Sequence, residues 1–259
     1  VNVSRSFSTM AINFITNLHA TDKLPPEQLK QIHTRIIHRH VAWLFALTYQ
    51  LRILKSWEHN GNADRKFRKM FGTDQPTDKF PELQTYLTEA DYQHIMTKGN
   101  KASHLLNLQS RDFKDVRRLG LTDDFRHMEF QSLITEMYTL QGKAERIKNF
   151  PFPRQYASAN YFFIIVFVAL LPFGMLSIFS GFESSFSVWM TLLFTVLASW
   201  VFWTMEMIGD FSENPFEGLH NDVPITNMAR GIEIDIRQML DETELPAPIA
   251  PHPESQILV

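Results

Sequence analysis

The 259-residue chain is predicted to be an all-α membrane protein in which a transmembrane helical hairpin carries a cytoplasmic helical domain. Three observations predict this. Gln155–Phe182 runs 28 residues without a charge, and Ser184–Met205 adds 22 more, with only Glu183 between them. Before Arg154 the apolar positions recur at helical spacing, and no stretch alternates with the period of two of a half-buried strand.

A bilayer core of about 30 Å needs about 20 apolar residues at 1.5 Å rise each, so both runs are long enough to span. The competing reading is a buried helical pair inside a large soluble core. Nine of the 22 Phe and three of the five Trp (Trp189, Trp200, Trp203) fall within 161–203, which suits lipid-facing and interfacial surface. Lys143, Arg146, Lys148 and Arg154 precede the first span and no Lys or Arg lies between the spans, so both flanks are expected in the cytoplasm. Pro172 sits mid-span, where a missing backbone donor leaves either a packed kink or a local cavity.

Charge divides the chain further. Residues 1–154 hold 23 basic and 16 acidic side chains, whereas residues 155–259 hold 2 and 12. The basic excess is spread along helices instead of clustered in a groove-sized block, and the whole chain is at −3, so a nucleic-acid partner is not expected. The chain has no cysteine, which excludes a disulfide framework, a thiolate zinc site, a cysteine nucleophile and an iron–sulfur cluster. The expected divisions are the helical domain at 1–154, the hairpin at 155–205, an acidic tail with a helix at 206–245, and a Pro-rich, disordered end at 246–259.

Within the front domain, Phe7, Met10, Ala11, Phe14 and Leu18 form one apolar stripe on a helix that starts without a cap and is expected to continue upstream. Pro25-Pro26-Glu27 opens a second helix reaching about Trp57, with Leu29, Ile32, Ile36, Ile37, Val41, Leu44, Phe45 and Leu51 inside. Residues 58–82, with Asn60-Gly61, Gly72, Pro76 and Pro81, read as loop with room for one helical turn. Thr88-Glu89-Ala90-Asp91 begins another helix. Thr122-Asp123-Asp124 caps the next, whose apolar positions Phe125, Met128, Leu133, Ile134, Met137 and Leu140 lead to Gly142. After the second span the chain is expected to stay polar through 209–218, with a last helix at about 224–242.

Few residues propose chemistry. His33, His38 and His40 stand five and two apart, which denies any pair the i, i+4 spacing of a helical metal site, and no metal or cofactor is expected. A phosphate-cradling glycine loop, a nucleophile elbow and a His-Glu-x-x-His motif are all absent, and no enzymatic activity is expected. Glu206, Asp210, Glu213, Glu217 and Asp222 follow the second span closely. Such a run is a solvated face, a divalent-cation site or the wall of an ion vestibule. Glu206 is singled out because a carboxylate at a membrane boundary normally faces a wet cavity or a partner.

The blocks Glu145-Arg146-Ile147-Lys148-Asn149-Phe150-Pro151-Phe152-Pro153 and Leu170-Leu171-Pro172-Phe173 resemble bacterial members of the bestrophin family. So do Glu213-Asn214-Pro215-Phe216 and Asn221-Asp222-Val223-Pro224-Ile225 beyond the second span. Val1-Asn2-Val3-Ser4-Arg5 resembles the family just after its second transmembrane helix. The resemblance implies a homopentameric ion channel of the bacterial inner membrane, with four transmembrane helices per subunit and one pore on the fivefold axis. Animal members conduct chloride and other anions. The implied partners are further copies of the chain, membrane lipid and the permeant inorganic ions. The family's main constriction lies on a helix absent here, whereas its cytoplasmic constriction maps near Ala157–Asn160, with Ala159 chosen. Together with Glu206 and Asp210, Ala159 makes up the expected pore lining. The family motif positions are Pro151, Pro153, Pro172, Asn214, Pro215, Phe216, Asn221, Asp222 and Pro224.

Animal bestrophins also carry a calcium clasp after Asn-Pro-Phe. Here that stretch offers only Glu217 and Asp222, too few carboxylates for a cage of six or more oxygens. Asn214 and Asp222 are expected to act as turn and capping groups. The sign of the permeant ion stays open: the acidic rear half favours cations, whereas helix N-termini or front-domain cations favour anions. A membrane-anchored helical scaffold with no transport activity is the alternative.

Overall fold

The computed structural model describes residues 1–17, 20–59, 61–71, 80–150, 154–181, 184–251, 253 and 258. The described residues form ten helices and no strand. They fall into two compact units, one made of Val1–Lys148 with Phe216–Val259 and the other of Asn149–Pro215.

The first unit is built around α2 (Pro26–Arg52), which packs against α1 (Asn2–Phe14), α4 (Pro81–Tyr86), α6 (Lys101–Arg118) and α10 (Ile225–Gln238). Pro26 opens α2 where its missing N–H costs nothing. The helix buries Ile36, Ile37, Val41, Phe45 and Leu51 as the periodicity requires, with Leu29, Ile32 and Leu44 half-buried. It ends at Arg52, five residues before the expected Trp57, because Ile53 turns extended and Glu58 accepts a bond from Lys55 N–H at 2.8 Å. From α1, Phe7 and Ala11 enter the core, while Leu18 lies outside the described residues. Aromatic rings continue that contact, with Phe7 edge-on to Phe113 at 5.7 Å and Phe113 stacked on Phe130 at 4.1 Å.

Residues 58–82 hold more helix than the turn-rich composition implied. α3 (Asn62–Met70) has nine residues; its Asp64 carboxylate accepts the Gly61 N–H at 2.9 Å, and Arg68 and Lys69 close its last turn. α5 (Glu89–Met96) starts where Thr88 accepts from Asp91 N–H at 3.3 Å. A break follows, and Asn100 caps α6 through Ser103 N–H at 2.8 Å. α6 ends at Arg118; Gly120 then adopts a φ of 71°, which is open to glycine, and Leu121 N–H closes on the Val116 carbonyl at 3.1 Å.

α7 (Asp124–Asn149) is capped by Asp123, which accepts from Arg126 N–H at 2.8 Å. It passes Gly142 without interruption. Its inner face is Phe130, Ile134, Met137, Gln141 and Lys148, whereas Phe125, Met128 and Leu140 among the apolar positions of the sequence are exposed. One helix thus carries apolar residues on two faces.

The second unit is the hairpin of α8 (Arg154–Phe179) and α9 (Ser184–Ser212). Phe167 meets Phe202 at 4.6 Å and Phe179 meets Phe194 at 5.3 Å, which sets the helices antiparallel. The span segments Ser158–Phe179 and Ser185–Ser212 have 22 and 28 residues and are 0% and 6% buried within the chain, which removes the buried soluble pair as a reading. α8 continues through Pro172. α9 runs to Ser212, so the stretch read as polar from 209 is helical in its first four residues. α10 ends at Gln238, short of the expected 242.

Candidate functional site

The hairpin carries a polar cleft of about 370 Å³ within its own two helices. Tyr156 and Asn160, one turn apart on α8, face Glu206 and Asp210 of α9 and Glu213 just beyond its end. The spacing of four places Glu206 and Asp210 on one helix face. Asn160 Nδ2 donates to the Glu206 carboxylate. Glu206 is half-buried and Asp210 exposed, so the structure brings together two of the three expected pore-lining residues. Ala159 is half-buried beside Asn160 in sequence and does not line this cleft. A cleft with three carboxylates raises the local concentration of cations and opposes anions through its field.

A second polar centre lies inside the first unit, where the chain returns from the hairpin. Phe216 is buried, and Gly218 adopts φ 84°, so its N–H and that of Leu219 converge on Asp222 Oδ2 at 2.5 and 3.1 Å. Asp222 faces Arg52 Nη1 at 3.7 Å. Glu217 accepts from His59 N–H at 3.2 Å and meets its Nδ1 at 3.0 Å. Lys148 donates to Glu58. Burial pushes the Arg52 pKa down to about 10 against the pull of Asp222, and burial raises that of Asp222 against its amide donors and Arg52. Burial likewise lowers the Lys148 pKa, although Glu58 opposes it.

Both carboxylates after Asn-Pro-Phe are thus already held by amides, by His59 and by Arg52. Glu217 and Asp222 do not fit a calcium cage, which needs six or more free oxygens. Among the described residues no group of three His, Asp or Glu is placed to hold a metal ion.

The remaining motif residues are placed as follows. Pro151 and Pro153 lie outside the described residues. Asn214, Pro215 and Pro224 are half-buried, Asn221 is exposed, and Pro224 stands at the start of α10. The three histidines of α2 go separate ways: His33 Nε2 meets the Ile15 carbonyl at 2.9 Å, His38 meets Glu242, and His40 stacks on Phe7 at 4.7 Å. Arg52, Glu58, His59 and Lys148 escaped sequence reasoning. Lys148 in particular read as a solvated flank of the first span, yet its side chain is 3% exposed.

Described residues that are helical throughout, with a hairpin long and apolar enough to span a bilayer, define a helical membrane protein. The family model described as Bacterial/Fungal Bestrophin protein matches residues 1–238. The chain belongs to the bestrophin family.

Among curated relatives, the voltage-dependent anion channel-forming protein YneE of Escherichia coli K12 is 27% identical over 175 residues, covering 68% of this chain and 55% of that protein. The voltage-dependent anion channel-forming protein mll4386 of Mesorhizobium japonicum is 24% identical over 166 residues, covering 64% and 51%. The chain spans about half the length of these relatives. A crystal structure of a bacterial bestrophin homologue from Klebsiella pneumoniae matches with a TM-score of 0.70 at 20% identity, over 94% of this chain and 77% of that one. At that identity the likeness shows the fold.

Proposed function

We propose that this chain forms part of a bestrophin-type ion channel of the bacterial inner membrane, in which five copies surround an axial pore that inorganic ions cross passively. The observation that carries this reading is the family match over residues 1–238, joined to relatives named as voltage-dependent anion channel-forming proteins. Those names favour anions as the permeant species. Bilayer lipid and neighbouring copies would cover the span helices, whose apolar surface is almost wholly exposed within one chain. The exposed stripe on α7, with Phe125 at 87% and Met128 at 66%, offers a further surface for neighbouring copies.

In this reading Ala159 marks a wide cytoplasmic aperture, and the cleft of Asn160, Glu206 and Asp210 biases which ions enter it. Both flanks of the hairpin lie in the cytoplasm, an orientation that the basic residues before the first span favour. The test is a planar-bilayer recording of the full-length gene product under a potassium chloride gradient. A reversal potential near that of chloride is the expected result. One near that of potassium would leave the channel standing and overturn anion conduction. Silence from intact, folded oligomers would favour the membrane-anchored scaffold.

A further inference from the structure

The C-terminal segment is held on the helical domain by polar contacts that the proposed channel does not use. His38 Nε2 on α2 lies 2.7 Å from Glu242 Oε1, and Arg237 Nε on α10 donates to Glu242 Oε2 at 2.5 Å. Arg237 Nη2 reaches on to the Glu244 carbonyl at 2.7 Å, and its Nη1 donates to the Tyr86 hydroxyl at 3.0 Å. Residues 242–251 have no helix or strand of their own; beyond the bond from Glu242 N–H to the Arg237 carbonyl at 3.2 Å, side-chain contacts of this kind add to the anchoring. One carboxylate, Glu242, is therefore shared between a fixed cation and an imidazole.

We propose that His38 and Glu242 form a pH-sensitive latch that holds the C-terminal segment against α2. The side chains are 23% and 19% exposed, buried enough for charge to matter and open enough for proton exchange with water. With a doubly protonated ring the contact is an ion pair reinforced by Arg237; with a neutral ring it falls to an ordinary hydrogen bond. Burial acts to raise the pKa of Glu242, but its bonds from Arg237 and His38 prevail and hold it below the usual range, so the carboxylate stays charged while imidazoles titrate.

The other groups facing His38 leave Glu242 as its direct partner. Tyr86 of α4 stands edge-on to the ring at 5.1 Å, and its hydroxyl donates to Glu233 of α10. The cleft of about 520 Å³ beside His38 is also faced by Glu27, Lys30, Arg35 and Arg39 of α2 and by Asp91 of α5. Arg39 is paired with Asp91 and Asp112, and Arg35 lies 3.6 Å from Asp112.

The chain has no cysteine, so a spin label on Ala247→Cys, at an exposed position of the segment, reports its motion without background from these residues. In the full-length protein in lipid nanodiscs, the released population should rise about fivefold between pH 5 and pH 9. His38→Gln should hold that population constant over the same interval. Glu242→Gln should leave the segment released at both pH values, which separates the latch from a general effect of pH on the fold. A rise of equal size in His38→Gln, or an unmutated segment equally immobile at pH 5 and pH 9, would overturn the proposal. Neither readout depends on ion conduction.

Discussion

Arg52 and Asp222 face each other at 3.7 Å with 1% and 2% of their side chains exposed, joining the end of α2 to the turn that follows the hairpin. The Asp222 carboxylate also organises that turn through the Gly218 and Leu219 amides. Asp222→Asn keeps the shape and strands a buried guanidinium, so it should destabilise the helical domain by about 3–5 kcal/mol. Adding Arg52→Met should recover most of that loss, because no unpaired charge then remains. Thermal unfolding of the four proteins of this cycle measures the coupling. Additive losses would show that the two side chains act independently.

His40 sets the acid response of the core. It is fully buried between Phe7 and Trp43, and burial lowers its pKa from the ordinary 6.5 to about 3. Between those values the unfolded chain binds a proton that the folded chain refuses, so stability declines as pH falls through the interval. The contribution at pH 5 is about 2 kcal/mol. His40→Phe should flatten the difference in unfolding temperature between pH 7 and pH 5; an undiminished acid slope would assign the effect to other groups.

Two helix caps offer a graded comparison. Thr88 caps α5 with a bond of 3.3 Å and should cost about 1 kcal/mol when replaced by alanine. Asn100 caps α6 and also donates to Glu145 of α7 at 2.9 Å, so Asn100→Ala should cost about 2 kcal/mol. Equal losses in chemical denaturation would show that the link to α7 contributes nothing.

For conduction, the informative pair is Glu206→Gln with Asp210→Asn. Removing two carboxylates from the hairpin cleft weakens its preference for cations. In a pore that passes chloride, the loss of these charges should raise the single-channel chloride conductance. An unchanged conductance would place both residues off the ion path.

Helical periodicity made α1, α2 and the spans legible, since a stripe such as Ile36, Ile37, Val41 and Phe45 has one reading in either context. It failed on α7, where apolar residues occupy two faces and spacing alone cannot say which is covered by the same chain. It also failed on α3, whose high charge resembles a loop but is ordered by Asp64 at its start and Arg68 and Lys69 at its end. Clustering after the second span made Glu206 and Asp210 legible as neighbours. The charges around Glu217 were not, because Arg52, Glu58, His59 and Lys148 arrive from positions about 70 to 165 residues away, and a buried ion pair leaves no local pattern.

The division of the helical domain into 1–148 and 216–259 sets an order of events during synthesis. α10 supplies Ala229, Ile232 and Ile236 to the core around α2, and Arg230 lies over the Phe45 ring at 5.2 Å. None of these exists when α2 leaves the ribosome. At about 5–20 residues per second, the domain waits many seconds with that face uncovered while the hairpin is translated. Synthesis of the hairpin therefore precedes closure of the domain, and a nascent chain stalled before residue 225 should expose an apolar surface that chaperones bind and the finished protein hides.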